Sequence, residues 1–167
     1  MLRWSVIGVA AAATLLSRPG VAVADPAVPQ PGMPCESSLV DAMTWPSDVK
    51  IPLVCVGTQW QTVTTPYPMS DRWFSYGPAM KLHGQGLRNP NILSGAWVAT
   101  PLNDETACRA EQLAVIPGSP QVGPPRVDQG DAGRPLTLEV VPVLFSIEMS
   151  GDCLWQKTDP DPDRPGW

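Results

Sequence analysis

His83 is the only histidine in the chain, and it stands in Lys81-Leu-His-Gly-Gln-Gly-Leu-Arg-Asn-Pro-Asn91. An imidazole changes charge near neutral pH, so it is the side chain best suited to act as a general base. A Ser-His-Asp arrangement would need a serine and a carboxylate brought to it by folding. Ser70, Ser75, Ser94, Asp71 and Asp104 are available for that role. No G-x-S-x-G elbow is present to expose a nucleophile. Gly84-Gln85-Gly86 lacks the third glycine of a nucleotide loop, and no clear strand precedes it. The glycines, asparagines and proline around His83 predict a loop, where binding groups often sit. The plainer reading is a surface or hydrogen-bonding histidine.

Carboxylate pairs could run glycoside hydrolysis. The nearest are Asp104 with Glu105 and Asp128 with Asp131, and both lie in turn-like sequence that needs no catalytic role. The aspartates from Asp159 to Asp163 alternate with prolines. They lack the central glycine and closing glutamate of an EF-hand loop, so no metal site is expected. No cofactor motif is present either.

Six of the ten aromatics beyond residue 24 fall between Trp45 and Tyr76. They are Trp45, Trp60, Tyr67, Trp73, Phe74 and Tyr76. In an extended stretch, neighbouring side chains point to opposite faces, so Trp73, Phe74 and Tyr76 cannot all point inward. Exposed members would form a platform for cell-wall glycan, peptide or another secreted protein. Trp73, Phe74, Tyr76 and His83 are therefore the candidate binding residues. The bland alternative is that tryptophans fill the core of a helix-poor domain.

The elements that must position these groups begin after an export signal. Arg3 precedes an apolar stretch from Trp4 to Leu16, and Ala22-Val23-Ala24 fits signal-peptidase cleavage. Residues 1–24 are expected to be a secretory signal peptide, with no later transmembrane segment. Removing Arg3 and Arg18 leaves 9 basic against 16 acidic residues, a net charge of −7. No basic patch remains for nucleic acid. An exported chain with Cys35, Cys55, Cys108 and Cys153 reads as holding two disulfides. There are no C-x-x-C pairs for zinc. Four cysteines allow three pairings. Cys35–Cys55 with Cys108–Cys153 is favoured, since each pair brackets one compact segment.

Twenty-one prolines and 14 glycines oppose long helices. One short helix is expected over Glu36–Trp45, with Pro46 stopping it. Ile51–Val56, Gln59–Thr64 and Ile92–Thr100 read as strands, and Ala107–Ile116 leans the same way. Pro117–Pro135 reads as a long loop. In Leu136–Trp155 the apolar residues switch from even to odd positions at Val141-Pro142. That switch predicts two strands or one bent strand. Glu139 and Glu148 should then face water, and Ser150-Gly151-Asp152 should turn the chain into Cys153. Trp155 falls on the face of Cys153 and, with Trp97, should cover the second disulfide.

The expected fold is mainly β: a small antiparallel sandwich or barrel-like domain with two disulfides and at most one short helix. Its parts are a Pro-rich extended lead at 25–34, a β domain at 35–157 with sub-units 35–93 and 94–157, and a disordered acidic tail at 158–167.

Gly95-Ala96-Trp97, Cys108, and Phe145 through Gly151-Asp152-Cys153-Leu154-Trp155 resemble a disulfide-linked β module of exported actinobacterial proteins. Arg109-Ala110 stands where that module carries aromatics, and the last cysteine-to-tryptophan spacing is shorter. The half with Cys35 and Cys55 is similar to small exported mycobacterial-type proteins of unknown function. The resemblance implies Cys108–Cys153 pairing and export, and no catalytic residues. The chain thus reads as a secreted, non-enzymatic binding or structural component of the cell envelope or medium. The alternative is a small secreted hydrolase using the His83 loop.

Overall fold

The computed structural model describes residues 27–64 and 69–158. The expected signal peptide, Tyr67 and all of the expected acidic tail but Thr158 lie outside these residues. Nine strands form one sheet, and no α-helix occurs among the described residues. The strands are β1 (Met43–Thr44), β2 (Leu53–Val56), β3 (Gln59–Thr62), β4 (Arg72–His83) and β5 (Gly95–Pro101). They continue with β6 (Arg109–Ala114), β7 (Arg126–Gln129), β8 (Leu136–Val140) and β9 (Leu144–Lys157). The mainly β class stands. The sheet is antiparallel except where β1 runs parallel to β4, and it does not close into a barrel.

β9 is the spine. One edge pairs with β4 over most of its length. The other edge forks: Ser150 back to Leu144 pairs with β6, while Cys153 to Lys157 pairs with β5. β8 then adds to β5, and β7 adds to β6. The main core gathers residues from both branches of the fork and from β4. Trp73, Trp97 and Trp155 sit in it beside Cys108 and Cys153. A second core on the opposite face holds Phe74, Tyr76, Trp60, Leu154 and the Cys35–Cys55 disulfide. Cys108–Cys153 is the other disulfide. Strands from both halves of the chain share this one sheet.

Gly151 sits at the fork with φ of 93°. A Cβ there would lie 2.6 Å from the Ala107 carbonyl oxygen, so only glycine lets β9 pass the start of β6. The expected turn at Ser150–Asp152 is therefore a kink within a continuous strand.

Other expectations are corrected. Glu36–Trp45 is not a helix. It makes a single 3-10 turn at Ser37–Leu39, and Asp41 then takes φ of 64°. An isolated ten-residue helix is marginal. Here Asp41 N–H donates to the Cys55 carbonyl and Cys55 N–H to the Ala42 carbonyl, so pairing beside the disulfide wins. Pro117–Pro135 contains β7. The parity switch at Pro142 separates two strands, since β8 pairs with β5 and β9 with β4. Val143 falls in the turn between them and is exposed, while Leu144 is buried in its place. The described part of the lead packs on the fold: Pro29 is buried, and Gly32 N–H donates to the Trp60 carbonyl. Pro34 bridges to Gln59. The lead thus covers the open edge of β3, which would otherwise present unpaired backbone groups.

Candidate functional site

The site grows from a change of character along β4. Residues Trp73 to Tyr76 are all buried, because both faces of the strand are covered there. Gly77, with φ of 112°, opens a bulge that shifts the register before Met80. Beyond it only one face is covered. Met80 and Leu82 enter the main core, while Lys81 and His83 turn outward to solvent. Residues 81–83 are thus strand rather than loop, and the loop begins at Gly84.

Asn91 closes that loop. Its side-chain oxygen accepts from the His83 N–H at 3.1 Å, and its own N–H donates to the His83 carbonyl at 2.8 Å. Gly86 N–H donates to the Leu144 carbonyl and seats the loop base on the start of β9. Gly84 is required for that seat: a Cβ would lie 2.3 Å from the Leu144 Cβ. Gly84→Ala is expected to destabilise the fold by about 1–3 kcal/mol through overpacking. Gly123→Ala, whose methyl would meet nothing closer than 3.8 Å, should change stability by less than about 0.5 kcal/mol. Thermal unfolding of the two variants checks this contrast.

Trp45 forms the facing wall. Its backbone N–H donates to the Met80 sulfur, and its indole N–H donates to the Val49 carbonyl. Two hollows meet here, of about 220 and 660 Å³, and both are lined by Trp45, His83 and Asn91. The first adds Pro46, Val49 and Lys81, and the second adds Met69, Arg88 and Pro90. Together they make an open groove with apolar walls and three basic side chains. Lys81 pairs with Glu148 at 3.1 Å on the surface. Arg88 has no ion-pair partner among the described residues.

Of the expected binding residues, only His83 lines this groove. Trp73, Phe74 and Tyr76 are 1%, 6% and 4% exposed, so the expected exposed aromatic platform is not there. A strand sandwiched between two cores can bury neighbouring aromatics on both faces. Trp73 donates its indole N–H to the Ser70 carbonyl, and Phe74 stacks on Trp60 with ring centres 5.8 Å apart. Sequence reasoning missed Trp45 and Arg88 as groove residues. The sequence pattern puts Trp45 at a helix end, and Arg88 has no partner in sequence to mark it.

The serines named for catalysis are already committed. Ser70 donates to the Arg72 carbonyl, Ser94 to Gln85, and Ser75 to the Gly151 carbonyl at 2.6 Å. Ser75 also accepts the Trp155 indole N–H at 2.8 Å, inside the core. Asp128 is held by Arg126 and Gln112. Among the described residues, no three His, Cys, Asp or Glu side chains gather as a metal site.

The chain matches no family model, no curated protein and no solved structure.

Proposed function

We propose that the protein is exported and acts in the cell envelope or medium as a non-enzymatic binding protein. Its ligand is a carboxylate-bearing glycan or peptide held in the groove between Trp45 and Arg88. The observation that carries this reading is the groove itself. It brings Trp45, His83, Lys81 and Arg88 together on a chain that is otherwise acidic. An indole wall offers stacking area, and an unpaired guanidinium offers bidentate contact to a carboxylate. Two disulfides suit an oxidising compartment, and no described helix is long and apolar enough to cross a membrane.

Trp45→Ala and Arg88→Ala are each expected to weaken retention on cell-wall glycan or acidic peptide about tenfold, or 1.4 kcal/mol. Binding should also weaken as salt rises. Retention by both variants equal to the parent's would reject the groove as the binding site, leaving a purely structural role.

The hydrolase alternative keeps one supporting observation, the exposure of His83 in both hollows. Its discriminating result is an activity in a broad hydrolase screen that His83→Ala abolishes without changing the melting temperature. Such a result would replace the binding reading.

A further inference from the structure

The end of β9 is anchored beside the groove. Lys157 N–H donates to the Asp71 carbonyl at 2.9 Å, and Thr158 N–H donates to the Ala96 carbonyl at 2.9 Å. Asp71 is two residues from Met69, which lines the larger hollow and is 40% exposed. Between them, Ser70 N–H donates to the carbonyl of Asn91, which lines both hollows. Residues 159–167 therefore leave the sheet close to the groove's rim. Nine extended residues reach about 30 Å, enough to cross it.

The composition of that segment complements the groove. Asp-Pro-Asp-Pro-Asp-Arg-Pro-Gly-Trp holds three aspartates and one arginine, a net charge of −2. The groove presents Lys81, His83 and Arg88. Lys81 is already paired with Glu148, while Arg88 has no ion-pair partner among the described residues. A second group there lacks an acceptor. Asn91 is 8% exposed and its oxygen accepts the His83 N–H, but its amide nitrogen donates to no described residue. A buried amide donor normally finds an acceptor, and one carboxylate can serve both this amide and a guanidinium. The hollow over the second core is lined by Glu36 and Asp152 and would repel the same segment.

We propose that residues 159–167 occupy the groove of their own chain as a built-in competitor, with an aspartate on Arg88 and Asn91. The inference rests on the reading of the groove as a carboxylate site. Pro160, Pro162 and Pro165 limit the backbone freedom that docking would cost. The tether makes weak contacts sufficient. It holds the segment at a local concentration on the order of millimolar, so a millimolar affinity fills the groove about half the time. An external acidic ligand then binds about twofold more weakly than it would to an open groove.

The test follows the Arg88 Nε–H and Asn91 side-chain amide signals by NMR at low salt. Replacing the three aspartates together, Asp159→Asn, Asp161→Asn and Asp163→Asn, is expected to shift both signals. Salt at about 0.5 M should move the parent's signals the same way, since it screens the attraction. A synthetic peptide of residues 159–167 added to the triple variant should return them saturably, and Arg88→Ala should abolish the saturable response at Asn91. An added acidic peptide should bind the triple variant about twofold more tightly than the parent. Equal signals in the parent and the triple variant overturn the inference. Parent shifts that vanish on about tenfold dilution overturn it too, because they place the segment of a second copy in the groove. In either case the proposed function still stands or falls on the retention of Trp45→Ala and Arg88→Ala. Signals that move as expected uphold the inference even if no cell-wall ligand is retained.

Discussion

Replacing Cys108 and Cys153 together by alanine is expected to lower stability by about 4 kcal/mol. Their sequence separation is 45, and in the chain-entropy model a loop of that size restricts the unfolded chain by about that amount. The bond sits where the loss is felt most. Cys108 immediately precedes β6, and Cys153 lies just beyond the kink at Gly151. The disulfide thus ties the β6 branch to β9 at the fork. Both cysteines are fully buried beside Trp97 and Trp155, so removing their sulfurs also leaves unfilled core. The melting temperature should fall by roughly 10–20 °C. The same change at Cys35 and Cys55, separated by 20 residues, should cost less, about 3 kcal/mol. That pair secures the lead and the second core. Thermal unfolding of both double variants checks the order, and a larger loss at Cys35–Cys55 would contradict it.

The disulfides were legible because an even set of cysteines bracketing compact segments is a local signal. Strands β2, β3, β5 and β8 were legible for the same reason, since short β-branched or alternating runs sit between turns. What was hidden depends on partners far away in sequence. The start of β4 buries Trp73, Phe74, Ser75 and Tyr76 together, so it shows no alternation, and Gly77-Pro78 looks like a break. Only the second core explains that pattern. β1 is hidden because Leu39, Val40 and Met43 fit one helical face in sequence, while its strand pairing depends on Leu53, Val54 and Trp73. The groove was half legible. His83 was named, but its facing wall at Trp45 is set by pairing that no local pattern encodes.

Gln112 holds the two branches of the fork together, and its replacement by leucine is expected to cost about 2–5 kcal/mol. The side chain is 2% exposed, and two of its hydrogen bonds reach β8 and the residue after it, which β6 does not pair with. Its amide nitrogen donates to the Glu139 carbonyl at 3.0 Å and to Asp128 at 3.2 Å. Its oxygen accepts the Val141 N–H at 3.2 Å. Gln112 therefore acts as a piece of backbone between β6 and the end of β8, where the open sheet has no ladder of its own. Leucine nearly conserves volume, so the loss would come from the stranded Glu139 carbonyl and Val141 N–H. Gln112→Glu separates the two functions of the amide. Its carboxylate can still accept from Val141, but it faces the Glu139 carbonyl and the Asp128 carboxylate with no proton to donate. Burial and Asp128 should raise the folded-state pKa of this new carboxyl above its unfolded value. The folded state then binds the extra proton more tightly, so its stability deficit should shrink as pH falls through that raised pKa and be largest at neutral pH. Denaturant unfolding of Gln112→Glu and Gln112→Leu from pH 7 to pH 5 measures this. The expected result is recovery of the glutamate variant relative to the leucine variant at the acid end. A pH-independent difference between them would mean that Gln112 fills space at the fork and does not join its branches.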